Sequence, residues 1–205
     1  MKVSIGYRIQ DGPWGGGNNF VNSLTNYLIE NDNIVIDHLN DDDIDIILIV
    51  DPRWNNPAVT FLAREVARYI SKRNNHAIVV HRINECDERK NTKLMNLRLK
   101  LINCISDHTV FIASWLKHLN LWNPSVDNSS IILNGADKNI FNMNNKEPWH
   151  TNKKLKLVTH HWAGNYMKGF DVYSKIDNML SSAEWNDKIS FTYIKILCFI
   201  IRLDI

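Results

Sequence analysis

Six short, β-branched apolar runs, each closed by a polar turn, constrain this chain most: residues 3–9, 34–36, 44–50, 77–81, 109–113 and 131–133. Runs this short and this continuously apolar suit strands buried on both faces of a parallel sheet. Helical stripes lie between them. Phe20, Leu24, Tyr27 and Leu28 form one; Leu62, Val66, Ala67 and Ile70 form a second, with Pro57 suited to its first turn; Leu94, Leu97, Leu101 and Ile102 form a third. Ser114 is placed to cap a short helix carrying Trp115, Leu116 and Leu119. The alternation predicts an α/β fold with a doubly wound parallel sheet, a Rossmann-like domain over residues 1–141.

Residues 142–154 are polar, rich in Asn and interrupted by Pro148, which reads as a linker. The alternation then restarts, with a strand over 155–159, a helix over 170–180 and a strand over 189–194. Residues 155–205 are therefore expected to hold an incomplete second Rossmann-like βαβ unit. A lone unit of that kind buries little apolar surface against its chain entropy, so docking or a completing partner is expected. The last stretch, 195–205, is apolar without a helical or alternating period.

The net charge of +2 gives no electrostatic reason to expect nucleic acid as a partner. Cys86, Cys104 and Cys198 are odd in number and far apart, a pattern of reduced thiols and not of a disulfide framework or zinc site. The first residues enter a strand without an apolar leader segment, and the late run 196–201 falls short of the ~20 residues that span a bilayer. A cytoplasmic location without a transmembrane segment is expected.

Ligands of open parallel sheets bind beyond the carboxyl ends of the strands, which selects four loops. The first, residues 10–19, holds Gly15, Gly16 and Gly17 directly ahead of a helix, where backbone N–H groups can approach an anion. Its glycines match neither the Gly-x-Gly-x-x-Gly fingerprint nor a P-loop, which argues against nicotinamide enzymes and nucleoside triphosphatases. The third strand ends at Asp51-Pro52-Arg53-Trp54. The fourth ends in His81-Arg82-Ile83-Asn84, where a proton carrier and a guanidinium stand together. His81 is open between that role and a structural one, and residues 87–93 read as a solvated loop and helix start. Asn134-Gly135-Ala136-Asp137 forms an Asn-Gly turn before the linker, and Lys168-Gly169 precedes the later helix, where an ammonium and backbone N–H groups suit a diphosphate. His160 and His161 point to a metal only faintly, since strand neighbours face opposite ways.

Taken in order, the triple-glycine loop, the His81 segment, the Ile-Leu-Asn-Gly-Ala-Asp turn followed by Phe141, and the Lys168-Gly169 loop resemble glycosyltransferases of the two-Rossmann-domain (GT-B) type, specifically family 4-like enzymes. The resemblance spans residues 1 to about 194. It implies retaining transfer of a sugar from a nucleotide-diphosphate sugar to a glycan or other hydroxyl acceptor, with no metal and no separate cofactor. By the same resemblance, Gly15, Gly16 and Gly17 face donor and acceptor, His81 lies near the transferred sugar, Asn134, Gly135 and Asp137 with Phe141 form the turn that closes the acceptor domain, and Lys168 and Gly169 hold the donor diphosphate. Arg82 and Asn84, at a strand end suited to holding a polar substrate, are placed with Asn134 and Asp137 in the acceptor cleft.

Two departures qualify it. His161-Trp162 stands near the place of the family's Gly-Arg pair, and Ile205 is reached before the Glu-x7-Glu segment that contacts the donor. Truncation of the donor domain is thus expected to impair turnover unless a partner completes it. The alternative reading is a non-catalytic carbohydrate- or acceptor-binding module.

Overall fold

The computed structural model describes residues 1–12, 14–119, 121, 128–161 and 169–195. It divides into two compact units, Met1–Ala136 and Asp137–Ile205.

The first unit carries strands β1 (Lys2–Ile5), β2 (Ile34–Ile36), β3 (Ile46–Ile49), β4 (Ile78–Ile83), β5 (His108–Phe111) and β6 (Ser129–Ile131). All neighbours pair in parallel, in the order β2-β1-β3-β4-β5-β6, so the winding direction reverses between β1 and β3. This is the doubly wound, Rossmann-like α/β sheet that the alternation predicted.

Each strand sends alternate residues to opposite faces. On one face Val3, Ile5, Leu48 and Val50 pack with Val21 of helix α1 (Gly16–Glu30). On the other, Ile47, Ile49 and Val79 pack with Val66 and Tyr69 of α2 (Ala63–Lys72) and Ile102 of α4 (Met95–Asn103), which follows the single turn α3 (Asp87–Lys90). A third cluster joins Ile83 and Phe111 to Met95, Leu99 and Leu116, the last from the short α5 (Ser114–Lys117).

Several local expectations are corrected. Pro57 lies in a turn well ahead of α2, whose start is tied instead by Glu65 Oε2 accepting the Leu62 N–H at 2.5 Å. Ala113, not Ser114, occupies the N-cap of α5. In α4 the buried face is Met95, Leu99 and Ile102, while Leu94, Leu97 and Leu101 are exposed. The run at 3–9 leaves the sheet after Ile5, where Gly6 passes so close to Phe61 that a Cβ would lie 2.8 Å from its ring. β4 runs two residues past His81, and β6 begins at Ser129 and ends before Ile132.

In the second unit, β7 (Leu155–His161) pairs in parallel with β8 (Ile189–Lys195) across a connection carrying α6 (Phe170–Leu180) and the single turn α7 (Ala183–Asn186). Gly169 caps α6 at φ 84°, a left-handed conformation that glycine adopts without strain. Tyr173 stacks on Tyr193 at 5.7 Å and meets Phe191 at 5.6 Å, which fixes one face of α6 to the strand pair. No described residue of α6 is fully buried. Residues 142–154 are exposed throughout and form turns and irregular chain.

Candidate functional site

At the carboxyl edge of the first sheet the chain leaves β1, turns through residues 10–15 and enters α1. Asn18, buried in the first turns of α1, shapes this turn: its Oδ1 accepts the Gln10 N–H at 2.8 Å and its Nδ2 donates to the Gln10 carbonyl at 3.0 Å. The loop is therefore pinned to the helix at both backbone groups of one residue. Gly15 is the N-cap, with no side-chain cap, and its carbonyl receives the N–H groups of Asn18 and Asn19 at 3.0 and 3.3 Å. The N–H groups of Gly16 and Gly17 precede that first intrahelical bond and point out of the helix end. A Cβ at Gly15, Gly16 or Gly17 would meet nothing within 4 Å, so local packing does not demand these glycines.

Beside this turn, β3 leads to Asp51. Its carboxylate is buried and accepts from Arg53 Nη2 at 2.5 Å, Arg53 Nε at 2.9 Å, the Arg53 N–H at 2.9 Å and Asn56 Nδ2 at 2.8 Å. Burial raises the pKa of a carboxyl, but Arg53 and Asn56 together outweigh it and hold Asp51 below the ordinary value. Tyr7, two residues past β1, is pushed upward by burial and by the Asp51 charge. The Glu85 carboxylate, just past β4, also acts on Arg53 and, with Asp51, favours its charged form.

β4 separates its two candidates. His81 and Arg82 are strand neighbours and project to opposite faces. His81, fully buried, faces α4: Nδ1 lies 2.5 Å from Asn103 Oδ1, which also accepts from Thr109 Oγ1 at 3.2 Å, while Asn103 Nδ2 donates to the Leu121 carbonyl at 2.5 Å. Because the Asn103 amide is oriented by Leu121, its Oδ1 must accept, and the ring proton sits on Nδ1. Nε2 is a buried acceptor with no partner among the described residues. Burial drives the His81 pKa down to about 4, against a smaller opposing effect of Asn103, so the ring is neutral near pH 7.

Arg82 faces α1. Its Nη2 donates to Asn134 Oδ1 at 3.0 Å, and the guanidinium carbon stands 3.8 Å from the centroid of the Phe20 ring. These contacts bring the end of β4, the first half of α1 and Asn134 to one place; residues 132–137 after β6 are irregular chain and not the turn that Asn134-Gly135 suggested. Asn84 uses its carbonyl to accept from Arg89 Nη1. The acidic residues that follow are structural: Asp87 accepts the N–H groups of Met95 and Asn96, both at 3.0 Å, and Glu88 accepts from Asn96 Nδ2. Asp87 thus caps α4 from outside it, a role its place in a charged run conceals.

Asp137 opens the second unit, where its Oδ1 accepts the Asn139 N–H at 2.8 Å and its carbonyl receives Ile140 and Phe141. Gly169 is positioned at the start of α6, whereas Lys168 lies outside the described residues. A groove of about 480 Å³ runs along β1, β2 and α1, lined among others by Tyr7, Val21, Thr25 and His38 and flanked by the Arg8–Asp37 ion pair at 3.0 Å.

Among the described residues no three His, Cys, Asp or Glu side chains converge as metal ligands, and no helix is long and apolar enough to cross a membrane. Sequence reasoning overlooked Asn18 and Phe20 as site-forming residues. Asn18 had a readable signal, an amide in the first turn after a glycine loop, where such side chains return to nearby backbone. Neither a protein-family model nor a curated protein matches the chain.

Proposed function

We propose that this chain serves sugar transfer from a nucleotide-diphosphate sugar to a hydroxyl acceptor with retention, the first unit acting on the acceptor side. The observation that supports the reading is the start of α1 at Gly15–Gly17, at the switch point of a Rossmann-like sheet, where the space above all three glycines is open and the first N–H groups of the helix have no partner among the described residues. Open parallel sheets hold ligands at that place.

In such a transfer the bond from the sugar's anomeric carbon to the diphosphate breaks, with the electron pair leaving on the phosphate oxygen. The acceptor oxygen bonds the same carbon on the same face and gives up its proton, for which the departing phosphate oxygen is the nearest base. Positioning and charge stabilisation therefore carry most of the catalysis. Gly16 and Gly17 offer N–H groups to the developing charge, and Lys168 with Gly169 takes the donor diphosphate. His81, neutral and held by Asn103, positions β4 and the Arg82 beside it.

Incubation of the purified chain with a panel of sugar nucleotides and hydroxyl acceptors, read by nucleoside-diphosphate release, tests the reading. Acceptor-dependent release is expected, reduced about tenfold or more by Gly16→Val, which fills the open space, and by Lys168→Ala. A folded chain that releases nothing from any sugar nucleotide defeats it. Glycan binding without sugar-nucleotide binding instead identifies a non-catalytic carbohydrate- or acceptor-binding module, favoured by the fact that the Arg82–Asn134 cluster belongs wholly to the first unit.

A further inference from the structure

Arg53 and Arg82 both stand at the carboxyl edge of the first sheet, and their surroundings are opposite. Arg53 is matched by the Asp51 carboxylate in a two-pronged pair. Arg82 is more deeply buried, 5% exposed, and is matched by no anion among the described residues. One arm of its fork goes to the neutral amide of Asn134, its face lies on the neutral ring of Phe20, and Nη1 is buried without a hydrogen-bond partner among the described residues. The charge that does act on it is Arg89, of the same sign, and this, after burial itself, pulls the Arg82 pKa down to about 10. At neutral pH the guanidinium is still a cation.

A buried cation with an idle donor and a second cation nearby is costly, and such a grouping is relieved when an anion enters. A guanidinium fork matches the paired oxygens of a phosphate or carboxylate, and Phe20 and Asn134 hold this fork in a single plane. Phe20 lies on α1 itself, one turn after the Gly16 and Gly17 N–H groups, so the fork and the helix end stand on the same face of the sheet.

We propose that Arg82 anchors an oxyanion site in the first unit, taking a phosphate or carboxylate carried by the acceptor, with Asn134 orienting the fork and Arg89 supplying the second positive charge. The word acceptor rests on the sugar-transfer reading; the anion site stands on the surroundings of Arg82 alone.

The test is titration of the full chain with inorganic phosphate, glucose 6-phosphate, glucuronate and glucose, followed by calorimetry and by the melting temperature. Glucose 6-phosphate or glucuronate is expected to bind at least tenfold tighter than glucose, more weakly as salt is raised, and the stronger of the two tells phosphate from carboxylate. Arg82→Gln is expected to lose that preference, and Arg82→Lys to keep part of it, since the charge remains and the fork does not. Arg82→Met, which removes the unmatched charge, is expected to melt no lower than the parent chain without ligand while losing anion binding. Should the Arg82 variants not fold, Arg89→Gln and Asn134→Ala, at exposed positions, are expected to weaken anion binding by about three- to tenfold. Equal binding of glucose and glucose 6-phosphate overturns the proposal, as does anion binding unchanged in the folded variants. Nucleoside-diphosphate release without an anion preference leaves sugar transfer standing and removes the anion site; anion binding without any release does the reverse.

Discussion

His81 and Arg82 show how much one peptide step decides. Both were visible as candidates because they close an apolar run, and alternation along a strand already says that they part company. Which of them faces the crevice depends on which helix covers which face, and that follows from Asn103 and Phe20, far away in sequence. The burial of His81 has a measurable consequence. Its pKa is lowered from 6.5 to about 4 on folding, so between those values the unfolded chain binds a proton that the folded chain refuses. The stabilising effect of keeping this ring neutral is complete above pH 6.5 and is lost as pH falls from 6.5 toward 4, by about 3 kcal/mol in all. Urea unfolding at about pH 7, 5.5 and 4.5 is expected to show this slope. His81→Gln, which keeps a donor for Asn103, is expected to flatten it. Asp51, held low by Arg53, loses its contribution only at more acid pH, below its ordinary value of 3.8, so the two effects fall in separate windows.

At the scale of elements, the strands were legible and the faces of the helices less so. β3 is apolar on both sides because both sides are covered, and the run itself reports that. α4 and its cap carry two apolar stripes, Met95, Leu99 and Ile102 on one side and Leu94, Leu97 and Leu101 on another, so more than one stripe satisfies a helical period. The stripe chosen by the fold is set by where the helix begins: Leu94 takes a left-handed conformation at φ 71°, and Asp87 receives the next two N–H groups, which turns Met95 and Leu99 inward. Leu99 is 1% exposed and Leu97 52%. Leu99→Ala is therefore expected to cost about 2–5 kcal/mol, whereas Leu97→Ala stays within about 0.5 kcal/mol, as read by denaturant midpoints. The glycines were legible as the approach to a helix, although Gly16 and Gly17 are its first two residues and only Gly15 precedes it; the clamp by Asn18 was not legible, because an amide facing back to Gln10 leaves no periodic trace.

At the scale of the molecule, the clusters of buried apolar side chains found among the described residues belong to the first unit, and neither α6 nor α7 of the second contains a fully buried residue. Residues 1–136 are expected to fold by themselves, with a single cooperative urea transition and the circular dichroism of an α/β sheet; a fragment that stays unfolded contradicts this. The strand order also has a consequence in time. β1 lies between β2 and β3, and after β3 each new strand pairs with the one made just before it, so the sheet lengthens along one edge in the order in which the chain is synthesised. Until the next strand arrives, that growing edge carries unpaired backbone groups, and strangers can pair with it. The strand that ends the growth, Ser129-Ser130-Ile131, is three residues long and begins with two serines, a short and polar finish that offers other chains little to extend.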